Sequence, residues 1–293
     1  MQHSLFQENM FHKTFEFHFI LLLLSVVVIL AWSCKPSKSP KRTIVVSILP
    51  QKYIVKQIVG DKYEVDVLVP NGSSPESYDP TPRNLVTIGE SDLYFMVGNF
   101  GFENAWLQRI QEVNPSLHIS SMSDSTFSLK CDHHHGVDPH IWMSPAKMKL
   151  MAQEVFNVLS VYDPMQVEFY KKNLNAFFER MDCLHDRIRK LINISSTKAF
   201  VIYHPALTYF ADLYGLQQLS IEHDHKEPSA ASIAHLMEEV ENTGAQILFV
   251  QQEIDIRLAQ TLARECSLRV VSINPLSEDY EDELMRIALA IAK

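Results

Sequence analysis

Two runs of alternating strand-like and helix-like segments constrain the fold of this chain most strongly. Short stretches rich in β-branched residues alternate with helical patterns from Arg42 to about residue 122, and again from residue 198 to the end. Such alternation is typical of βα units, which build a mostly parallel sheet with helices on its faces. The sequence therefore predicts two α/β lobes of similar composition.

The predicted strands fall into two groups. In the first lobe they are TIVVSIL (43–49), YEVDVLV (63–69), LYFMVG (93–98) and LHISSM (117–122). In the second lobe they are KAFVIYH (198–204), LQQLSIE (216–222), ILFVQQ (247–252) and RVVSIN (269–274). Helices are predicted between the strands, with a last one near 280–292.

A long helical pattern joins the two lobes. Asp163 and Pro164 form a suitable N-cap and first-turn pair, and from there to about Ile194 no glycine or further proline interrupts an amphipathic pattern. Some 30 residues at about 1.5 Å each give a rod of about 45 Å, which leaves little hinge bending. The predicted domains are a lobe at 43–161, a connecting helix at 162–195 and a lobe at 196–293.

The N-terminal segment has the features of an export signal. Residues 19–32 form an apolar run of 14 residues, shorter than the roughly 20 that span a bilayer but suited to a signal-peptide core. Ser33 and Cys34, followed by the basic stretch KPSKSPKR, resemble a lipoprotein cleavage site. We expect residues 1–33 to be a signal peptide and Cys34 to carry the lipid. A single membrane-anchor helix and a true start at Met10 remain alternatives.

Charge and cysteine content argue against two other classes of protein. Without residues 1–33 the chain has 25 basic and 33 acidic residues, a net charge of −8, whereas a nucleic-acid surface needs a basic stripe. The cysteines that remain after Cys34 are Cys131, Cys183 and Cys266. Because they are few, odd in number and far apart, they indicate neither a dense disulfide framework nor a CxxC zinc pair.

Four polar residues stand where ligands bind in such a fold, which is beyond the carboxyl ends of the strands. They are Glu76 in SPESYDP, His140 in DPHIWMSP, His204 at the end of KAFVIYH and Asn274 at the end of RVVSIN. Each also has an ordinary interpretation, as a surface carboxylate, a buried histidine or a turn-capping asparagine. The loop around His140 favours a ligand, because Asp138 and Pro139 fix the backbone before it. Two such histidines in opposite lobes strengthen the prediction of a metal site.

Six segments carry a resemblance to a known family. They are PNGSSPESYDPTPRNL (70–85), ESDLYFMVGNFGFENAWL (90–107), DPHIWMSP (138–145), YHPALTYFADLYGL (203–216), EPSAASIAHL (227–236) and INPLSEDY (273–280). In this order they resemble the zinc- and manganese-binding solute-binding proteins of bacterial ABC importers, over nearly all of residues 43–293. The resemblance implies a cluster A-I fold, in which one long rigid helix joins two α/β lobes that hold a metal between them.

The resemblance also implies a set of metal ligands, two from each lobe. His140 and His204 match family histidine ligands, whereas Glu76 replaces a family histidine and Asn274 replaces the aspartate of many members. Zinc accepts a carboxylate oxygen beside imidazole nitrogens, so we expect Zn(II); carboxylates also suit manganese and iron, which are the alternatives. Asn274 would supply a weak neutral oxygen or hydrogen-bond a metal-bound water.

Two histidine clusters flank the predicted ligands. One precedes the DPH motif and consists of His133, His134 and His135; the other follows the LQQLSIE strand and consists of His223 and His225. The first resembles a short form of the histidine-rich loop of zinc-binding members. Exposed, mostly neutral imidazoles would collect a metal ion transiently, and a solvated loop without function is the alternative. We interpret the histidines within predicted strands and helices as structural: His118, His185 and His235.

These features predict a lipid-anchored, extracytoplasmic, monomeric binding protein that captures Zn(II) and delivers it to the membrane permease of an ABC importer, without catalysis. Binding should need neutral imidazoles and weaken as the pH falls through the histidine range. A zinc-dependent hydrolase is the alternative from another class; it would need a general base beside a metal-bound water, and the chain has no HExxH motif. Surface adhesion is a third function compatible with a lipoprotein of this family.

Overall fold

A computed structural model describes residues 42–123, 137–222, 228–252 and 256–293 of the chain. Within these ranges the chain forms two four-stranded sheets, in which every strand pair is parallel. Helices flank both sheets, and one long helix joins them, so the predicted fold class is confirmed. None of the helices in the described part of the chain is both long and apolar enough to cross a membrane. The predicted export signal and Cys34 lie outside the described residues.

The first lobe has the strand order β2-β1-β3-β4. Its strands are β1 (Arg42–Val46), β2 (Tyr63–Val67), β3 (Leu93–Met96) and β4 (His118–Ser121). Its helices are α1 (Leu49–Val59), α2 (Pro82–Gly89), α3 (Gly101–Val113) and α4 (Pro145–Tyr162), the last preceded by a 3-10 turn at Ile141–Met143. All residues of β3 are buried, as expected for a central parallel strand covered on both faces.

The second lobe repeats this order as β6-β5-β7-β8. After helix α5 (Val167–Ile194), its strands are β5 (Ala199–Ile202), β6 (Gln217–Ser220), β7 (Ile247–Gln251) and β8 (Arg269–Ile273). Its helices are α6 (Thr208–Tyr214), α7 (Ala230–Thr243), α8 (Ile256–Glu265) and α9 (Tyr280–Ala292). Gly215 ends α6 in the left-handed region, with φ +64°, a conformation that glycine adopts without steric cost.

Helix α5 packs against both lobes. Its 28 residues give a length of about 42 Å. Seven of its side chains are buried at intervals of three or four residues and form one stripe: Tyr170, Leu174, Phe177, Met181, Leu184, Ile188 and Ile192. This stripe packs against α1 and α4 of the first lobe and α9 of the second. A single core cluster therefore runs from the first lobe past α5 to one face of the second sheet.

The start of this helix differs from the prediction in one respect. Asp163 and Pro164 occupy the expected N-cap and first-turn positions, but they begin a 3-10 turn at Pro164–Gln166, and the α-helix starts at Val167. The Asp163 side chain does not cap the turn. Its carboxylate instead accepts a hydrogen bond at 2.7 Å from the hydroxyl of Tyr170, which lies seven residues further along the chain.

Candidate metal site

Three of the four predicted ligands converge between the two sheets. Glu76 lies on the loop after β2, His140 lies between β4 and α4, and His204 follows β5. One potential ligand atom from each side chain lies within 4.8 Å of the other two. Since loops at the carboxyl ends of parallel strands gather at one edge of a sheet, two facing edges can bring distant residues to one point.

The Glu76 carboxylate stands between the two imidazoles. Its Oε2 lies 3.2 Å from Nε2 of His204, and its Oε1 lies 3.7 Å from Nε2 of His140. The two imidazole centroids are 5.2 Å apart. Ligand atoms around a tetrahedral zinc ion are about 3.3 Å apart when each bond is about 2.0–2.1 Å long. The two nitrogen–oxygen distances, one to each oxygen of the Glu76 carboxylate, are therefore close to the spacing of ligand atoms in a zinc site.

His140 is held by a buried carboxylate on the same loop. Oδ1 of Asp138 accepts a hydrogen bond from the backbone N–H of His140, at 2.8 Å, and lies 2.8 Å from its Nδ1. Burial alone would raise the pKa of Asp138, but the charge and hydrogen bonds of His140 lower it to about 2. An ionised Asp138 favours the proton on Nδ1 and leaves Nε2 to face Glu76.

Two contacts between the lobes support this loop. The Tyr209 hydroxyl, from α6, donates to the backbone carbonyl of Asp138 at 2.9 Å. The indole N–H of Trp142, whose ring lies 5.2 Å from that of His140, donates to the carbonyl of Pro275 at 2.8 Å. Both contacts are buried, so they hold the His140 loop against the second lobe.

His204 is held by residues that follow the neighbouring strands. The Gln251 amide, at the end of β7, donates to the His204 carbonyl at 2.6 Å and accepts from its N–H at 3.4 Å. Oε2 of Glu222, just after β6, lies 3.4 Å from Nδ1 of His204. Burial would lower the pKa of His204, but its contacts with Glu222 and Glu76 raise it to about 10. The carboxylates thus make this position strongly attractive to positive charge.

Asn274, the fourth predicted ligand, stands directly after β8. Its side-chain oxygen accepts a hydrogen bond from the backbone N–H of Leu276, at 3.0 Å, and its backbone N–H donates to Oε1 of Glu283 at 2.7 Å. The side chain therefore takes part in the turn after β8, and its predicted role as a weak oxygen ligand or as a hydrogen-bond partner of a metal-bound water stays a prediction.

Glu222 joins the site although the sequence did not single it out. A usable signal was present, because Glu222 ends the predicted strand LQQLSIE in the way that His204 ends KAFVIYH. What the sequence lacks is the pairing of β6 with β5, which brings the two strand ends together. The auxiliary histidines predicted to collect metal, which are His133, His134, His135, His223 and His225, lie outside the described residues.

Two cysteines and three further histidines of the described residues lie elsewhere in the fold, whereas Cys131 lies outside the described residues. Cys183 and Cys266 are free thiols. The Nδ1 atom of His185, on α5, lies 3.2 Å from the Tyr214 hydroxyl, whereas His118 lies on β4 and His235 is exposed on α7. None of these residues is a member of the cluster at Glu76.

The cluster faces a cleft of about 460 Å³ with largely apolar walls. Besides the three side chains, the lining includes Trp142, Ala206, Pro275 and Leu276. The side chains of His140, His204 and Glu76 are only 5%, 12% and 14% exposed. Because such walls exclude water, a cation in the cleft would interact more strongly with the carboxylates than it would at an open surface.

Comparison with known proteins identifies relatives over almost the whole described chain. Residues 44–292 match the family described as zinc-uptake complex component A, periplasmic. The high-affinity zinc uptake system protein ZnuA of Bacillus subtilis is 28% identical over 264 residues, covering 84% of this chain and 82% of that protein. The zinc-binding lipoprotein AdcA of Streptococcus pneumoniae is 27% identical over 282 residues, covering 90% of this chain and 56% of AdcA. A crystal structure of ZnuA is similar with a TM-score of 0.81 and 30% identity, covering 86% of this chain and 98% of that one.

Proposed function

Since the chain belongs to the family of periplasmic zinc-uptake complex component A proteins, we propose that it captures a divalent transition metal, chiefly Zn(II), outside the cytoplasm and delivers it to the permease of an ABC importer. Members of this family are solute-binding proteins rather than enzymes. The observation that carries the proposal is the meeting of Glu76, His140 and His204 from two different sheets. Its mechanism is reversible ligation, in which no bond of a substrate is made or broken.

The donor set suits zinc as cargo. Two imidazole nitrogens and a carboxylate oxygen are ordinary zinc ligands, and a water molecule would complete four-coordination. The carboxylate at position 76 also makes manganese and iron acceptable, because harder ions favour oxygen. In the proposed complex Glu76 is a direct ligand, and Asn274 supplies a weak neutral oxygen or a hydrogen bond to the metal-bound water.

Release follows from the division of the ligands between lobes. Glu76 and His140 belong to the first lobe and His204 belongs to the second. A displacement of one lobe by an ångström or two would break the coordination without unfolding either sheet. We propose that the permease produces this displacement while α5 keeps the lobes joined.

We further propose that the protein is a monomer anchored to the membrane through Cys34, after removal of residues 1–33. The sequence around Cys34 and the lipoprotein relative AdcA support this placement. The clusters at His133–His135 and at His223 and His225 adjoin site residues in the sequence, which supports an auxiliary role in collecting metal.

Metal analysis tests the proposal directly. Protein purified without added metal should carry zinc in excess of manganese and iron, and competition titrations should rank zinc first. Replacing Glu76 with alanine should lower zinc affinity by about 10–100-fold or more, because a ligand is lost. Glu241→Ala, at an exposed position on α7, is the matched control and should leave affinity unchanged. Equal zinc affinity of wild type and Glu76→Ala would remove Glu76 from the site.

A further inference from the structure

The two histidines of the site have matching surroundings, although they come from different lobes. In His140, Nδ1 lies 2.8 Å from Asp138 and Nε2 lies 3.7 Å from Glu76. In His204, Nδ1 lies 3.4 Å from Glu222 and Nε2 lies 3.2 Å from the same glutamate at position 76. Each imidazole thus has a carboxylate on its Nδ1 side, opposite the nitrogen that faces the centre of the cluster.

From this geometry we infer that Glu222 is a positioning residue for metal binding, which acts by holding His204 with Nδ1 protonated and Nε2 directed at the metal. The inference rests on the proposed function. A carboxylate on the far nitrogen of a metal-binding histidine fixes the tautomer and the ring orientation, and it makes the ligating nitrogen more basic. Asp138 has the corresponding role for His140.

The backbone holds Glu222 at this place. Parallel pairing continues beyond the ends of β5 and β6, with the N–H of Ile221 donating to the Ile202 carbonyl at 3.0 Å and the N–H of Glu222 donating to the Tyr203 carbonyl at 2.9 Å. Glu222 therefore stands beside His204 at the end of the neighbouring strand. Its side chain is only 15% exposed, so the carboxylate is close to the imidazole and well shielded from solvent.

The same geometry separates positioning from ligation. The two nitrogens of an imidazole point in different directions, so an ion bound to Nε2 on the Glu76 side does not reach a carboxylate that contacts Nδ1. Glu222 accordingly is not a member of the three-residue cluster. Its contact with Nδ1 is also longer than that of Asp138, so its removal should cost less affinity than the removal of Asp138.

A double-mutant cycle tests whether Glu222 acts through His204. Zinc affinity is measured by chelator competition at several pH values and extrapolated to neutral His204, so that a change in the pKa of His204 does not enter the comparison. Glu222→Ala should lower the affinity by about 10–100-fold, and Glu222→Gln should lower it less, because the amide oxygen still accepts a hydrogen bond from Nδ1. In a His204→Ala background, Glu222→Ala should change affinity by less than about twofold, whereas in a His140→Ala background it should keep its full effect.

A spectroscopic measurement completes the test. With Co(II) as the probe, Glu222→Gln should keep the visible absorption bands of the wild type, because the metal keeps its ligands. Altered bands would make Glu222 a ligand, and equal effects of Glu222→Ala in the two histidine backgrounds would make its role structural; either result overturns the inference. Failure of the wild type to bind zinc would instead refute the proposed function. Glu241→Ala again serves as the control that should change nothing.

Discussion

The zinc affinity of this protein should rise steeply with pH between 7 and 9, because His204 must lose a proton before its Nε2 can bind a metal. Burial lowers the pKa of this imidazole, but the two carboxylates beside it outweigh burial and raise the pKa to about 10. From the sequence we expected the pH dependence of an ordinary histidine, with a pKa of about 6.5. The structure therefore moves the pH range in which zinc affinity should rise to higher pH.

A raised pKa and an ordinary pKa of His204 predict clearly different pH dependences of zinc affinity. With a pKa of about 10, only about one metal-free molecule in a thousand has a neutral His204 at pH 7. The apparent association constant should then rise about tenfold per pH unit, or about 100-fold from pH 7 to pH 9, with one proton released per zinc ion. With an ordinary pKa, the neutral fraction would rise by less than about twofold over the same interval.

Competition with a chelator of known pH dependence gives the association constant at pH 7, 8 and 9. Calorimetry in two buffers with different ionisation enthalpies counts the protons released. Glu222→Gln removes one of the two carboxylates beside His204, so the rise should weaken and end at a lower pH. A wild-type association constant that is flat between pH 7.5 and 9, with no proton released, would refute a raised pKa at His204.

Three further predictions concern stability, selectivity and the turn after β8. The pKa of His204 is higher in the folded state than in the unfolded state, so the stability that this residue contributes is full below about pH 6.5 and is lost as the pH rises towards 10. The melting temperature of the metal-free protein should therefore fall over this pH range. A constant melting temperature would contradict the raised pKa. Glu76→His should shift preference from manganese towards zinc in competition titrations, because an imidazole replaces a harder oxygen ligand; an unchanged ratio would show that residue 76 does not set selectivity. Asn274→Ala should lower stability to denaturant by about 1 kcal/mol through the lost hydrogen bond to Leu276. It should leave zinc affinity almost unchanged, because a neutral amide oxygen is a weak ligand for zinc, and a tenfold loss would show a larger role of Asn274 in metal binding.

The strand pattern was predictable because apolar, β-branched runs report burial. Their ends were less predictable for the same reason. The first predicted strand, 43–49, continues through Ile48, which is buried, but β1 ends at Val46 and α1 begins at Leu49. A buried side chain can lie in a turn as well as in a strand, so hydrophobicity alone does not locate the last hydrogen bond of a ladder.

The sequence alone determined the class of fold and three of the side chains that meet at the candidate site. Periodicity encodes βα units, an uninterrupted amphipathic stretch encodes α5, and Glu76, His140 and His204 follow strands, where a parallel sheet exposes its binding edge. Only the tertiary structure decided which polar groups accompany them. The pairing of β6 with β5 places Glu222 beside His204, and the Asn274 oxygen accepts a hydrogen bond from the backbone N–H of Leu276 in the turn after β8. Strand order depends on contacts between residues far apart in the sequence, and the choice of a hydrogen-bond partner depends on exact geometry. Neither can be deduced from the periodicity of the sequence.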